Sequence, residues 1–144
     1  MIAIGSDHAG FKLKQAVMEH LKERGIEFED FGCYSHESTH YPIYGKKVAE
    51  AVASGKYEKG ILICGTGIGI SIAANRIKGI RAALCSDCFS AEETRLHNDA
   101  NILALGARAT GEGLALKIVD VFLDTPFSGG ERHVKRINMI DDEE

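Results

Sequence analysis

The chain has 144 residues, of which 44% are hydrophobic and 26% charged, and its formal net charge is −4. This length predicts a single domain, spanning residues 1–144, that can bury a full hydrophobic core. No apolar run approaches the roughly 20 residues that a membrane-spanning helix needs, and no basic stripe with interleaved aromatic residues is present, so we expect neither a membrane nor a nucleic-acid partner.

Strand and helix patterns alternate from the N-terminus. Ile2–Gly5 lacks a basic segment and a cleavage site, so it is predicted to be a strand and not a signal peptide, which favours a cytoplasmic protein. A helix is predicted over Phe11–Arg24, where apolar residues recur at roughly helical spacing, and Gly25 ends it. A strand over Glu27–Phe31 and a helix over Tyr44–Ser54 are predicted to follow.

The second half continues the alternation and sets the fold class. Gly60–Cys64 is a continuous apolar run, typical of a strand buried on both faces. The remaining predicted elements are helices over Ile68–Ile77, Ser90–Asn98 and Gly113–Leu123, strands over Gly79–Cys85 and Ile102–Leu105, and a C-terminal helical segment from about residue 130, Glu131–Glu144. Five strands alternating with helices predict an α/β fold whose parallel sheet is covered on both faces. Ligands of such folds bind where strand ends meet helix N-termini, so the loops after the first, third and fifth strands matter most.

The loop after the third strand, Cys64-Gly65-Thr66-Gly67-Ile68-Gly69, carries the strongest motif. Its glycines allow a tight turn whose backbone N–H groups suit a phosphate or a developing oxyanion. We call Gly65–Gly69 the glycine cradle. A helix N-terminus favours the thiolate of a neighbouring cysteine, which would make Cys64 a nucleophile or a base. A buried apolar thiol beside a glycine turn without a ligand is the alternative.

The loop after the first strand places Asp7 and His8 side by side. An acid next to a histidine at the end of a strand suits recognition of hydroxyl or phosphate groups, or proton transfer. A phosphate-binding P-loop is excluded, because Gly10 is followed by Phe11-Lys12. The alternative is that Asp7 caps the following helix and that His8 is solvated.

Later in the chain, His97 and two arginines are further candidates. His97 precedes the fifth strand, where it could protonate a leaving oxygen, although a lone histidine there is more often a surface residue. Arg132 and Arg136 are four residues apart, so on a helix they share one face and together suit a phosphate dianion. A solvated charged face is the alternative interpretation.

The four cysteines, Cys33, Cys64, Cys85 and Cys88, are expected to be free thiols in a chain that can build its own core. Cys85 and Cys88 form a Cys-x-x-Cys motif. Structural zinc needs four ligands, and no second such pair is present, so we expect no metal. A redox pair of the thioredoxin kind stays open.

Several separated segments together resemble one known family. They are Gly5–Gly10, Asp30–Gly32, Tyr41-Pro42, Gly60–Asn75, His97–Asn101, Arg108 and Gly130–Arg136. They resemble the type B ribose-5-phosphate isomerases and their relatives, the allose-6-phosphate and galactose-6-phosphate isomerases. The resemblance implies a Rossmann-like three-layer α/β/α sandwich with a five-stranded parallel sheet, a homodimer or a dimer of dimers, and no metal or cofactor.

The resemblance also implies the reaction, an aldose–ketose isomerisation between ribose 5-phosphate and ribulose 5-phosphate through an enediolate. In the family the base is either a cysteine at position 64 or a glutamate in the following helix turn. That second position is Ile70 here, so the chain belongs with the cysteine branch and Cys64 is the implied base. His97 is implied as the acid that opens the sugar ring.

The remaining site residues are implied in the same way. Asp7 and Thr66 would assist catalysis at the sugar hydroxyls. The resemblance also implies that the sugar is bound by Tyr41, by Asn98 and by the backbone N–H groups of Gly65, Thr66, Gly67, Ile68 and Gly69. The residues implied to bind the phosphate are His8, Arg108, Arg132 and Arg136. Because family sites combine two subunits, His97 and Cys64 are expected to face each other across a dimer interface.

Three other functions stay open from the sequence. An isomerase of a six-carbon sugar phosphate, allose 6-phosphate or galactose 6-phosphate, would differ in substrate preference. A non-catalytic sugar-phosphate-binding module would bind without turnover. A thiol oxidoreductase would depend on Cys85 and Cys88.

Overall fold

A five-stranded parallel sheet forms the centre of the computed structural model, which describes residues 1–141. The strands are β1 Ile2–Ser6, β2 Phe28–Asp30, β3 Lys59–Cys64, β4 Ala82–Leu84 and β5 Ile102–Gly106. Their order is β2-β1-β3-β5-β4, and every neighbouring pair is parallel. The loops after β1, β3 and β5 therefore lie side by side at the centre of one sheet edge.

Helices cover both faces of this sheet. Within residues 1–141 they are α1 Phe11–Glu23, α2 Tyr41–Ala53, α3 Ile68–Ala74, α4 Cys88–Glu93, α5 Glu112–Asp124 and α6 Glu131–Asp141, with a 3₁₀ turn at His8–Gly10 and a π-helical turn at Thr94–Asn98. One core cluster packs α1, α4 and α5 against the sheet, and a second packs α2 and α3 against the opposite face. Connections running one way along the sheet use one face and those running back use the other, as crossovers of a single hand require. The predicted Rossmann-like three-layer sandwich is confirmed.

The observed boundaries differ from the predicted ones where local interactions decide them. Helix α2 begins at Tyr41 and not at Tyr44, because Pro42 fits the first helical turn. The helix predicted over Ser90–Asn98 is α-helical only to Glu93 and continues as the π-helical turn. The predicted C-terminal helix is present as α6, and its last residues, 142–144, lie outside the described residues.

None of the helices within residues 1–141 combines enough length with enough apolar character to cross a membrane.

Lys14 of α1 is a buried charge that the sequence analysis did not identify, with its side chain 0% exposed. Its Nζ donates hydrogen bonds of 2.5 Å to Asp30 Oδ1 and 2.5 Å to the carbonyl oxygen of Cys33. The N–H of Gly32 donates to the same Asp30 oxygen at 2.9 Å. The ammonium group therefore ties α1 to the end of β2 and to the start of the loop before α2.

Replacing Lys14 by methionine is expected to lower the free energy of unfolding by about 3 kcal/mol, because Asp30 would lose the cation that pairs with it. The matched control is Lys12→Met, on the exposed side of the same helix, which should change stability little. Urea denaturation of both variants measures the difference. Equal stabilities would mean that the buried pair contributes nothing net to the fold.

Candidate active site

The loop after β1 holds Asp7 and His8 in fixed orientations. Asp7 is 6% exposed, and its Oδ1 accepts the N–H of Gly10 at 3.1 Å, so one carboxylate oxygen caps the 3₁₀ turn. Nδ1 of His8 accepts the backbone N–H of Thr39 at 3.1 Å. Because Nδ1 is the acceptor, the neutral His8 ring carries its proton on Nε2. His8 thus has a directed N–H donor, which suits an anion.

The glycine cradle holds the sulfur of Cys64. Cys64 is 5% exposed, and its Sγ accepts the N–H of Gly67 at 3.1 Å. Gly67 has φ +79°, and a Cβ there would lie 2.9 Å from the carbonyl carbon of Leu105, so conformation and space both demand glycine. A backbone N–H aimed at sulfur stabilises negative charge on it. This geometry is compatible with the base role that the sequence suggested for Cys64.

Two side chains flank the cradle. The backbone N–H of Arg108, in the loop after β5, donates to the carbonyl oxygen of Gly65 at 2.9 Å. The Arg108 side chain passes over Gly65, where an added Cβ would lie 3.4 Å from Nη1. The ring of Tyr41 covers Gly69, and a Cβ there would lie 2.7 Å from it. The missing side chain of Gly69 therefore makes room for the phenol ring, whereas a Cβ at Gly65 would be in ordinary van der Waals contact with the guanidinium group.

The first loop adjoins the cradle as well. The N–H of Asp7 donates to the carbonyl oxygen of Ile63, and Ala9 lies beside Gly65. Thr66 Oγ1 accepts the N–H of Ile68 at 3.2 Å, which turns its hydroxyl toward the start of α3. Loops one, three and five thus form a continuous polar edge with the sulfur of Cys64 at its centre.

His97 belongs to a second group of residues on the π-helical turn and α6. Its Nε2 lies 3.1 Å from Glu93 Oε2, and its ring stacks on that of His133 with centroids 4.3 Å apart. Burial, together with the positive charge of Arg132 and with His97, lowers the pKa of His133. The lowered pKa favours the neutral form of His133 at pH 7. Sequence analysis missed His133 because only the docking of α6 brings the two rings together.

This second group lines a cleft of about 240 Å³. The residues along it are Leu96, His97, Ser128, Gly130, Arg132 and His133. Within the described residues the cleft therefore has no wall from the glycine cradle. Arg136 is exposed one turn beyond Arg132 on α6. Sharing of one site by Cys64 and His97 across two subunits stays a prediction.

The Cys-x-x-Cys motif has a structural explanation. Asp87, between the two cysteines, caps α4 by accepting the N–H of Ser90 at 2.6 Å. Cys85 is 2% exposed, and burial raises its pKa to about 11, so its thiol stays protonated at neutral pH. All four cysteines are free thiols. Within residues 1–141, no three histidine, cysteine or acidic side chains are arranged to hold a metal ion.

If the chain has the isomerase activity that the resemblance implies, replacing Cys85 and Cys88 together by serine should leave its rate within about twofold of that of the starting protein. A protonated, buried thiol has no part in proton transfer at neutral pH. Initial rates of the double variant and of the unaltered protein measure this directly. Loss of activity in a variant that still unfolds at the original temperature would restore the thiol oxidoreductase hypothesis.

Known proteins are similar to this chain over nearly its whole length. A sequence model of the family described as Ribose/Galactose Isomerase matches residues 2–140. Ribose-5-phosphate isomerase B of Escherichia coli is 53% identical over 139 residues, covering 96% of this chain and 93% of its own. Galactose-6-phosphate isomerase subunit LacB of Clostridium acetobutylicum is 44% identical, covering 99% of this chain and 82% of its own. The structure of ribose-5-phosphate isomerase B from Clostridium thermocellum superposes with a TM-score of 0.96 at 55% identity, covering 98% of this chain and 95% of the other.

Proposed function

This chain belongs to the ribose/galactose isomerase family, and on that premise we propose that it interconverts ribose 5-phosphate and ribulose 5-phosphate. The observation that carries the proposal is the sulfur of Cys64, which accepts the Gly67 N–H inside the glycine cradle. The relatives named for ribose 5-phosphate are more similar to this chain than the relative named for galactose 6-phosphate, which favours the five-carbon substrate.

The proposed reaction needs one base and one set of oxyanion donors. The thiolate of Cys64 takes the proton from C2 of the open-chain aldose, and the electron pair of that C–H bond forms the enediolate. Negative charge then develops on the oxygens of C1 and C2, where backbone N–H groups of the cradle stabilise it. The Cys64 thiol returns the proton to C1, which completes the ketose. Asp7 and Thr66 assist proton movement at the hydroxyls.

Ring opening and phosphate binding are assigned to the other residues. His97 donates a proton to the ring oxygen of the cyclic sugar, and Asn98 holds a sugar oxygen. The Nε2–H of His8 and the guanidinium group of Arg108 lie on the cradle side and bind the phosphate there. Arg132 and Arg136 add two planar donors that suit the same dianion. Binding energy from the remote phosphate then orients the reacting carbons.

We propose a homodimer as the catalytic unit, and the surface beside the cradle supports it. Ile68 and Ile72, one turn apart on α3, are 52% and 55% exposed, Leu84 is 40% exposed, and Phe89 is 71% exposed. Leu84 packs against Gly67, so this apolar face continues into the cradle. Exposed apolar side chains beside a candidate site support an interaction surface there. A second copy bound there would bring a partner's His97 toward Cys64.

We also place the enzyme in the cytoplasm, as a single isomerase domain. The four cysteines, all free thiols, support that assignment, because oxidising compartments favour disulfides.

An aldose–ketose assay of the purified protein tests the proposal. Ribose 5-phosphate, allose 6-phosphate and galactose 6-phosphate are offered in parallel, with and without a chelator. We expect the highest kcat/KM on ribose 5-phosphate and no effect of the chelator. A preference for either six-carbon substrate would overturn the substrate assignment. Binding without turnover on all three would support the non-catalytic module instead.

A further inference from the structure

The backbone just after the predicted acid is held in an unusual conformation. Asp99 follows His97 and Asn98. Among residues 1–141 it is the one residue other than glycine with a positive φ, which is +45°. Residues other than glycine adopt this left-handed region at a cost, and they persist there when surrounding contacts hold them. The end of the π-helical turn is therefore a position that the rest of the fold has to maintain.

Arg95 supplies part of that support from within the fold. Its side chain is 6% exposed. Nη1 donates to Asp99 Oδ1 at 2.8 Å and to the carbonyl oxygen of Ala100 at 2.7 Å. Nε donates to the carbonyl oxygen of Thr125 at 3.0 Å, which fixes the guanidinium group to the segment after α5. Arg95 thus anchors the side chain of Asp99 and the residue after it.

Arg81, the residue before β4, holds the backbone of the same turn from the other side. Nε donates to the carbonyl oxygen of Asn98 at 2.9 Å, and Nη2 donates to that of Asp99 at 3.0 Å. Nη1 reaches α6 and lies 2.5 Å from Asp141 Oδ2. Only 16% of the Arg81 side chain is exposed. A single planar guanidinium group therefore joins the sheet, the π-helical turn and the C-terminal end of α6.

Helix α6 is thereby fastened to the π-helical turn at both of its ends. Near its N-terminal end, His133 stacks on His97, and at its C-terminal end, Asp141 binds Arg81. Arg132 directly precedes the first of these attachments, and Arg136 lies between the two. Arg81 itself lines a different cavity, of about 600 Å³, that also includes Asn98 and Asp141. Any effect of Arg81 on the reaction therefore passes through the residues that it holds.

We propose that Arg81 is a positioning residue for the isomerisation, setting His97 and Asn98 relative to the phosphate-binding face of α6. This inference rests on the proposed function, because it requires His97 to be the acid and Arg132 with Arg136 to bind phosphate. The role needs the fork geometry of arginine, since three acceptors lie around one plane. Lysine, with one flexible ammonium group, cannot meet all three acceptors at once.

Two variants separate the contacts of Arg81. Arg81→Ala removes every contact and is expected to lower kcat about tenfold and to raise KM about tenfold, because a misplacement of reacting groups by about 1 Å can cost about 10²-fold. Asp141→Ala removes only the contact with α6, so KM should rise about fivefold while kcat stays within about twofold. The matched control is Arg76→Ala, which removes an exposed arginine of the same cavity. Its kcat and KM should both stay within about twofold of those of the unaltered protein.

Chemical rescue separates positioning from general destabilisation. Millimolar guanidinium chloride should restore a measurable part of the kcat of Arg81→Ala, whereas Arg81→Lys should stay impaired and gain nothing. An Arg81→Ala protein with the kinetics of the Arg76→Ala control would overturn the inference. The inference would also be overturned if the kcat of Arg81→Ala fell only in proportion to its melting temperature and did not recover in guanidinium chloride.

Reference variants keep this inference separate from the proposed function. His97→Gln and Arg132→Ala are assayed beside the Arg81 series. If both have unaltered kcat and KM, the proposed roles of His97 as acid and Arg132 as phosphate ligand fail, and the inference fails with them, although the isomerase activity itself stands. If both are impaired while Arg81→Ala and Asp141→Ala are not, only the role of Arg81 is refuted.

Discussion

Cys64→Ala is expected to lower kcat on ribose 5-phosphate by about 10²–10⁴-fold, the range that one general base contributes. Ile70, the alternative base position of the family, cannot take over the task, because it is a fully buried apolar residue. Binding of ribulose 5-phosphate, measured by calorimetry, should persist, since the phosphate anchors are untouched. The measurement that isolates the base is solvent deuterium incorporation at C1 of the ketose, which should disappear.

The matched control for this variant is Cys33→Ala. Cys33 and Cys64 are each 5% exposed, so both substitutions remove a buried thiol of the same size. Cys33 lies before α2 and outside the proposed chemistry, so its loss should leave kcat within about twofold. Cys64 also packs in the core cluster of α2 and α3, so a structural thiol is a genuine competing interpretation. Comparable kcat values for the two variants would establish that interpretation and end the assignment of Cys64 as base.

The central architecture was predictable because its signals are local. The uninterrupted apolar run of Gly60–Cys64 marks a strand buried on both faces, and β3 lies in the middle of the sheet. Alternation of strands and helices then places the ends of β1, β3 and β5 on one edge. The glycine cradle was predictable from the glycines of the loop itself. Glycine is needed where a neighbouring group approaches the backbone closely or where φ is positive.

Features set by contacts between distant segments were not predictable. Lys14 occupies the apolar face of α1 with Val17 and Leu21, which is a visible signal, but its burial depends on Asp30, 16 residues away. The π-helical turn has no pattern of its own in the sequence. It ends at Asp99, whose conformation is supported by hydrogen bonds from arginines that precede it in the chain. Local propensity carries no information on such partners.

The proposed composite site requires assembly of two chains as well as the fold of each one. The cradle and the cleft of His97 and Arg132 do not share a wall within the described residues. A single chain therefore presents two halves of the proposed machinery, each ordered by its own contacts. This division makes a strong prediction about mixtures of inactive variants.

His97→Gln is expected to lower kcat on ribose 5-phosphate by about 10²-fold or more, because the cyclic sugar loses its proton donor. Co-expression with Cys64→Ala should nevertheless restore activity. In a hybrid dimer one composite site carries both substitutions, while the other combines an intact Cys64 with an intact His97. Random pairing makes half of the dimers hybrids, so the mixture should reach about one quarter of the original activity.

Controls decide whether recovered activity comes from composite sites. Each variant mixed only with itself should stay inactive, and two tagged forms of Cys64→Ala should show by affinity capture that subunits pair at random. A site complete within one chain predicts no recovery, since every chain in the mixture then carries a broken site. Absence of recovery in captured hybrid dimers would therefore refute the composite site, whereas activity near one quarter requires that the sulfur and the imidazole come from different subunits.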